Sequence, residues 1–441
     1  MGIKPDIHAL SCKDEPCRRS LRFSFLDGIF ASGTNGFTQD YFVPFVLLLS
    51  HSVQHVSILN AFQNLFSSLA QLFSADLTVW LKSRKKIIVS FVFLQALMLL
   101  PIVVLALWHS ATPSIFILLV VLFSSFNALA TPAWSSLMSD LVREEKRGMY
   151  FGWRSRILGL VSIASAFLAG FILNRIGGTN PFYGFAIVFF CAFVFRMFSW
   201  FFLTRMHEPP LQHSPEHQFT LLEFLARFQE SNFAKFVFFV AMMNFSVNLA
   251  SPFFAVLMIK DLKFSYLLYA AITVAATLTV CLLMGRWGRF ADKIGNLKVI
   301  RWTAPLIGFV PLLWVFNRHP AFLFFAQIFS GFAWAGFNLS ASNFIYDAVR
   351  PEKRTRCIAY FNVFNGLALC CGSLLGGLLL MKLPPLFGYN ILTLFMISAF
   401  FRLLVAFWMP AKLKEVRTVS SVNNLQVLLH MTGVRPLKFL A

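Results

Sequence analysis

The sequence predicts an all-α integral membrane protein, with twelve transmembrane helices in two six-helix bundles. Three observations predict it. Apolar stretches of membrane-crossing length recur along nearly the whole chain, Lys and Arg crowd into alternate loops, and the second half repeats the first. A helix rises about 1.5 Å per residue, so roughly 20 apolar residues cross a hydrocarbon layer of about 30 Å. Composition agrees: the chain is 58% hydrophobic and 13% charged, with 55 Phe. A water-soluble fold needs more polar surface than this, and Phe is at home against lipid tails.

Residues 1–23 read as a basic tail without the apolar core of a signal peptide. The first crossing segment is therefore expected to direct insertion itself. Spans are predicted at 24–50, 52–77, 86–108, 113–141, 150–174 and 181–204, then at 233–259, 264–284, 299–317, 319–346, 357–381 and 387–408. The first carries Asn35 and Asp40. In the second, Asn60, Asn64, Ser67 and Gln71 fall at intervals of 4, 3 and 4 with Gln63 alongside, which is one helix face. The fourth carries Asn127. Arg154 and Arg156 open the fifth, where they read as interfacial anchors with one able to reach an inner vestibule. The sixth carries Arg196. Residues 205–232 are the longest loop, marked by Pro209, Pro210 and Pro215 and by His207, His213 and His217, which read as solvated. In the seventh span Asn244, Asn248 and Ser251 share a face. The tenth carries Asn338, Ser342 and Asn343, the eleventh Asn362 and Asn365, and the twelfth Arg402. Residues 410–441 form a second basic tail. The domain division is thus 1–23, 24–204, 205–232, 233–409 and 410–441.

Both tails and the even-numbered loops hold 31 of the 38 Lys and Arg, whereas the odd-numbered loops hold 5. By the positive-inside rule, both termini are cytoplasmic and the chain is a multi-pass protein of the cell (inner or plasma) membrane. A net charge of +20 would point to nucleic acid in a soluble protein. Distributed this way it faces the anionic inner leaflet instead, and no nucleic-acid partner is expected. The seven cysteines give no disulfide framework, and no metal or cofactor is expected.

Of the 18 acids, only Asp40 reads as deep in the bilayer, with Asp27 and His51 bracketing its span. An acid there costs about 2.5–3.5 kcal/mol on insertion scales, so it must face a cavity or a partner. Protonated it is a neutral donor; ionised it can hold a cation or exchange a proton. The rival reading is a carboxyl satisfied by neighbouring Asn, Ser or backbone groups. Each buried amide likewise has a rival reading as glue between helices, worth about 0.6 kcal/mol on average. As a set they read as a partly wet pathway. Arg196 and Arg402, each about ten residues from a cytoplasmic basic residue, read as snorkelling toward the inner headgroups.

The repeat is explicit. Asp140-Leu-Val-Arg143-Glu-Glu-Lys146-Arg147 returns as Asp347-Ala-Val-Arg350-Pro-Glu-Lys353-Arg354, offset 207; Phe195-Arg196 returns as Phe401-Arg402, offset 206; Pro44-Phe45 returns as Pro252-Phe253, offset 208. Six helices therefore repeat as six in the same orientation. With its long central loop, this pattern resembles the major facilitator superfamily. The superfamily's loop signature runs Gly-x-Leu-Ala-Asp-Arg-x-Gly-Arg-Lys. The loop after the eighth span matches it at Gly288, Ala291, Asp292 and Gly295, and Lys293 keeps the charge. In the first half, Trp80 stands at the Asp position and Ser83 at the second Gly.

The resemblance implies alternating access, with helices one, four, seven and ten lining a central cavity and two, five, eight and eleven at the bundle interface. It also implies that loop charges bridge the bundles on the cytoplasmic side in the outward-facing state. The gate is expected at Gly288, Asp292, Gly295, Asp140, Arg147, Asp347 and Arg354. The substrate or proton pathway is expected at Asp40, Asn35, Asn60, Gln63, Asn64, Asn127, Asn244, Asn248, Asn338 and Asn365. The expected function is secondary active transport of a small organic solute, coupled to protons, by a monomer in the lipid bilayer. No Gly-x-x-x-x-Gly-Lys-Ser/Thr loop for ATP is present. No His lies deep in a span, so an intramembrane enzyme is not expected. The alternative is a lipid flippase, or a scaffold or receptor that keeps the fold without transport.

Overall fold

The computed structural model describes residues 15–50, 52–108, 112–142, 147–177, 180–209, 231–349 and 351–416. Cys12, His213, His217, Arg143, Lys146 and the tail from 417 lie outside the described residues, as do the side chains of Lys353 and Arg354.

Among the described residues, twelve helices follow one another in sequence, two of them broken. In the first half they are α1 in two pieces (α1a, Glu15–Thr38, and α1b, Phe42–Ser50), α2 (Val53–Leu81), α3 (Arg84–Leu107), α4 (Pro113–Leu141), α5 (Arg147–Ile176) and α6 (Pro181–Thr204). In the second half they are α7 in two pieces (α7a, Asn232–Asn248, and α7b, Phe253–Val256 running into a π-helical turn, Leu257–Asp261), α8 (Tyr266–Ile294), α9 (Asn296–Phe316), α10 (Pro320–Ala348), α11 (Pro351–Leu380) and α12 (Asn390–Trp408). Among the described residues, ten of these are long and apolar enough to cross a membrane on those criteria alone. The other two are α1, which is broken, and α2, which carries the row of amides from Asn60 to Gln71.

Local chemistry sets the ends. Ser52, Ser83, Asn180, Ser231 and Ser265 cap α2, α3, α6, α7a and α8, each accepting a backbone N–H of the first turn. Proline stands at the start of α4, α6 and α10, where its missing N–H costs nothing.

The two breaks sit at the repeated Pro-Phe pair. Proline has no N–H to give the carbonyl four residues earlier and its ring crowds that carbonyl. Pro44 therefore frees Asp40 O, and Pro252 frees Asn248 O. The α-helix stops at Thr38 and Asn248 and resumes at Phe42 and Phe253.

Both bundles use the same pairings. The first packs α1 on α5 and α6, α2 on α4, and α3 on α4 and α6. The second packs α7 on α11 and α12, α8 on α10, and α9 on α10 and α12. The bundles meet along two seams, α2 on α11 and α5 on α8. In the first, Gly366 lies against Ser68 with no room for a Cβ. Ser57 Oγ donates to Ser373 O (2.9 Å) and Asn362 Nδ2 to Gln71 Oε1 (2.7 Å) across the same seam.

The apolar cores are divided unevenly across the membrane. The described residues form four clusters. The one at the face opposite the termini draws on both bundles, from Phe37, Phe42, Phe45 and Phe116 to Phe253, Tyr269, Trp314 and Phe395. Toward the termini the cores separate. One holds Leu21, Ile87, Leu137, Tyr150 and Met206 of the first bundle, and another Phe236, Ile300, Phe344 and Cys357 of the second. There Phe73 of α2 and Trp80 of α2 are 60% and 77% exposed. The molecule is joined at the far face and parted at the face that carries its ends.

Candidate functional site

A cavity of about 350 Å³ lies between the bundles, at the small end of the range for small-molecule sites. The first bundle supplies Gln39 and Asp40 from the α1 break, Val43 from α1b and Asn60 from α2. The second supplies Ser251 from the α7 break, Phe254 from α7b, Tyr269 and Thr273 from α8, Trp314 from α9, Gln327, Ser330 and Trp334 from α10, and Arg402 from α12. The unwound segments thus form its two sides. A break exposes backbone that only a protein-lined or wet cavity can satisfy at membrane depth.

One freed carbonyl has a partner. The Tyr269 hydroxyl donates to Asp40 O at 2.8 Å, from α8 to α1 and so from one bundle to the other. The rings of Tyr41 and Tyr269 meet edge to face nearby, with centroids 6.3 Å apart. The Tyr41 hydroxyl itself bonds to Ala166 O of α5. Asp40 is only partly buried.

Of the expected pathway residues, the cavity gathers Asp40 and Asn60. The others are not among its lining residues. Asn60 Nδ2 bonds to Val56 O (3.0 Å) and Asn64 Nδ2 to Asn60 O (2.7 Å) along α2. Asn244 Nδ2 donates to Asn365 Oδ1 (2.7 Å), tying α7a to α11, and Asn248 Oδ1 accepts from Ser373 Oγ (3.3 Å). Asn35 and Asn338 are exposed, and Gln63 is half-buried outside the cavity lining. Asn127 Oδ1 accepts from Arg196 (3.3 Å).

Two sequence expectations are corrected here. Arg196 and Arg402 do not snorkel: they are 6% and 2% exposed, turned into their bundles. Nor is Asp40 alone at depth, because Asp27 is 4% exposed within α1a. The sequence reading placed Asp27 at a helix edge, but α1a begins at Glu15 and carries Asp27 three turns in. Around it a polar network fills the first bundle. Ser199 Oγ donates to Asp27 Oδ1 (2.6 Å); Arg196 donates to Ser199 Oγ (3.1 Å) and, through Nε and Nη2, to Gln95 Oε1 (2.8 and 2.5 Å). Arg154 joins from α5, bonded to Ser24 O (3.1 Å) and stacked over Trp134. Arg402 has a different setting: Nε donates to Ser398 Oγ (3.0 Å), Nη1 to Ile307 O (3.3 Å) and Nη2 to Val247 O (3.1 Å). Sequence reasoning missed Arg402, Trp314, Trp334 and Tyr269 as lining residues. The available signal was a serine at helical spacing on the face of each arginine, Ser199 and Ser398.

The expected gate residues cluster at the face of the termini, and the bonds described there run within each bundle. Arg84, the first residue of α3, donates to Asp140 Oδ2 (2.6 Å). Glu208 accepts from Arg84 N and Ser83 Oγ (both 2.6 Å). The second bundle repeats the plan: Asn296 Nδ2 donates to Asp347 Oδ2 (2.8 Å) and Leu297 N to Glu415 Oε2 (2.7 Å). Glu208 and Glu415 stand 207 residues apart, so each carboxylate sits at the N-terminal, positive end of the matching helix. Arg147 bonds back to Ser139 O (2.7 Å) and Val142 O (3.3 Å). Asp292 is exposed in the last turn of α8. Gly295 joins α8 to α9 at φ +94°, a value that favours glycine, whereas Gly288 lies within α8. In the first bundle the same turn is made by Lys82 at φ +50°.

The fold has solved counterparts. The nucleoside transporter NupG, in a single-residue variant, superposes with a TM-score of 0.70 at 16% identity, covering 89% of this chain and 100% of that one. An auto-inhibited POT family peptide transporter gives 0.68 at 12% identity, covering 92% and 99%. The human organic anion transporter TETRAN gives 0.59 at 13%, covering 90% and 100%. No curated protein matches at the level of sequence. The sequence profile of the Major Facilitator Superfamily matches residues 28–247 and again 234–437, one match for each half of the repeat. With two like six-helix bundles around a central cavity, the chain belongs to the Major Facilitator Superfamily, a multi-pass membrane transporter and not an enzyme.

Proposed function

We propose that this transporter is a proton-coupled secondary carrier of a small organic solute, working by alternating access, and that the structure represents its inward-facing state. One observation carries the reading. The bundles share a continuous apolar core at the far face and have separate cores at the face of the termini. The excess of Lys and Arg on the latter face supports a cytoplasmic location for both ends, in the cell membrane. A rocking motion about the central cavity would open the far face and close the other. In that outward-facing state Asp140, Arg147, Asp292 and Asp347 would exchange their present partners for contacts across the bundles, joined by Arg354.

Asp40 is the coupling group in this scheme. It is the acid that lines the cavity, it belongs to the α1 break, and its carbonyl holds the contact between bundles. Binding or release of a proton there acts at the point where the two halves touch. The solved counterparts are described as carrying nucleosides, peptides and organic anions, so fold likeness leaves the solute class open. The polar lining from Gln39 to Arg402 favours a water-soluble solute over the flipping of lipid.

The test is flux in proteoliposomes under an imposed proton gradient, with a pool of small metabolites. Asp40→Asn should abolish gradient-driven uptake while leaving solute exchange at zero gradient. Gradient-driven uptake that survives the substitution refutes the coupling role.

A further inference from the structure

The second bundle's side of the cavity holds a cation without an anion. Arg402 lines the cavity and is 2% exposed. All three of its hydrogen bonds run to neutral acceptors, on Ser398, Ile307 and Val247. Among the described residues no carboxylate lies within ion-pair distance of its guanidinium. Arginine has five N–H donors, so one on each terminal nitrogen is left uncommitted and can serve a further acceptor.

The first bundle shows what is missing. There the matched arginine, Arg196, reaches Asp27 through Ser199. The position equivalent to Asp27, 208 residues on, is Lys235. The second bundle has therefore kept the arginine and has no acid in the corresponding place. Burying a charge without a counter-charge carries a large desolvation cost, and such groups in membrane proteins face partners or cavities. A second deficit lies in the same wall. Trp314 is fully buried, and its indole Nε1 has no acceptor among the described residues. Buried donors are normally satisfied. Both deficits have the same sign, positive charge and N–H groups in excess of acceptors, and an anionic group supplies what each lacks.

We propose that Arg402 is the anion-binding subsite of the central cavity, and that the solute is a small organic anion whose carboxylate or phosphate is held there while its other end faces Asp40. This rests on the carrier reading above and narrows its substrate class. The two cavity walls differ in character: Asp40 on one bundle, Arg402 on the other. A solute spanning them joins the bundles directly.

The test uses the full-length protein in detergent at neutral pH, with thermal unfolding measured against matched pairs: benzoate and benzamide, glutamate and glutamine, phosphoserine and serine. The variant is Arg402→Gln, which keeps N–H donors for the helix carbonyls and removes the charge; Arg402→Lys, which keeps the charge, covers the case in which the first does not fold. The wild type should be stabilised by the anionic member of at least one pair and not by its neutral partner. Its apparent Kd should rise about 10- to 100-fold in Arg402→Gln, the weight of a charge-assisted hydrogen bond, and less in Arg402→Lys. Without solute, Arg402→Gln should unfold at or above the wild-type temperature. Binding of neutral members, unchanged in the variant, overturns the anion site and leaves the carrier standing. Stabilisation by no member, together with no flux of the same panel in proteoliposomes, overturns both. If solute-free Arg402→Gln unfolds well below the wild type, the comparison passes to Arg402→Lys, and an apparent Kd for the anionic member that is unchanged there overturns the subsite.

Discussion

Tyr269→Phe should shift the carrier toward its outward-facing state without harming its fold. The substitution deletes one oxygen and keeps the ring that meets Tyr41 edge to face. That oxygen donates at 2.8 Å to Asp40 O, a carbonyl left without its helical partner by Pro44 four residues later. A bond of this kind is worth about 0.5–1.5 kcal/mol net. Its two ends belong to different bundles, so in the alternating-access scheme proposed above it would be lost when the far face opens. Its loss therefore acts on the equilibrium between states rather than on each bundle. A change of about 1 kcal/mol multiplies the open-to-closed ratio by about five. Electron spin resonance distances between labels at Trp108→Cys and Phe316→Cys read the ratio directly in a cysteine-free background. These positions end α3 and α9, on opposite bundles, and are 66% and 81% exposed. The longer-distance population should grow about fivefold relative to the shorter. An unchanged distribution would show that the Asp40 carbonyl is equally well served by water, and the bond would have no part in closure.

Two further predictions follow from the polar groups inside the bundles. Asp27→Asn removes the anion that Arg196 reaches through Ser199; a buried group left without its partner costs about 1–3 kcal/mol, so thermal unfolding in detergent should move down, and an unmoved transition refutes a stabilising role for the Asp27 charge. Glu415→Gln weakens the cap on α9 by about 1 kcal/mol and Glu208→Gln does the same to α3; hydrogen exchange should rise in the first turn of the matching helix alone.

Much of the fold was legible because lipid imposes simple demands. Chain length per crossing, basic loops and the internal repeat each reflect one constraint, and together they point to twelve helices in two like halves. The helix breaks were partly legible: Pro44-Phe45 and Pro252-Phe253 were visible as a repeat, but not as the places where α1 and α7 unwind. The site was much less legible. Whether an amide at helical spacing faces a cavity, a neighbouring helix or its own backbone depends on rotation about the helix axis by a few tens of degrees. Asn60 and Asn64 both bond to the carbonyl one turn back along α2, yet only Asn60 lines the cavity. Arg196 and Arg402 were misread for the same reason. Distance from the membrane edge allows a long cation to snorkel, and only the serine beside each arginine marks an inward course.

The two halves show how a duplicated bundle can divide its labour. Backbone pairing, helix breaks and acidic caps are common to both, since each solves a problem that any six-helix unit meets in lipid. The buried charges are not common to both. In the first bundle Asp27, Ser199, Arg196, Gln95 and Asn127 satisfy one another, so the network needs nothing from outside and ties α1, α3, α4 and α6 into one block. In the second bundle Trp334 stands 207 residues on from Asn127 and Lys235 stands where Asp27 would recur, leaving Arg402 to the cavity. Replacement of internal partners on one side of a symmetric fold creates an excess of donors on that side only. Asymmetry of this kind is what a central site needs if it is to bind a solute in a single orientation between two walls of common descent.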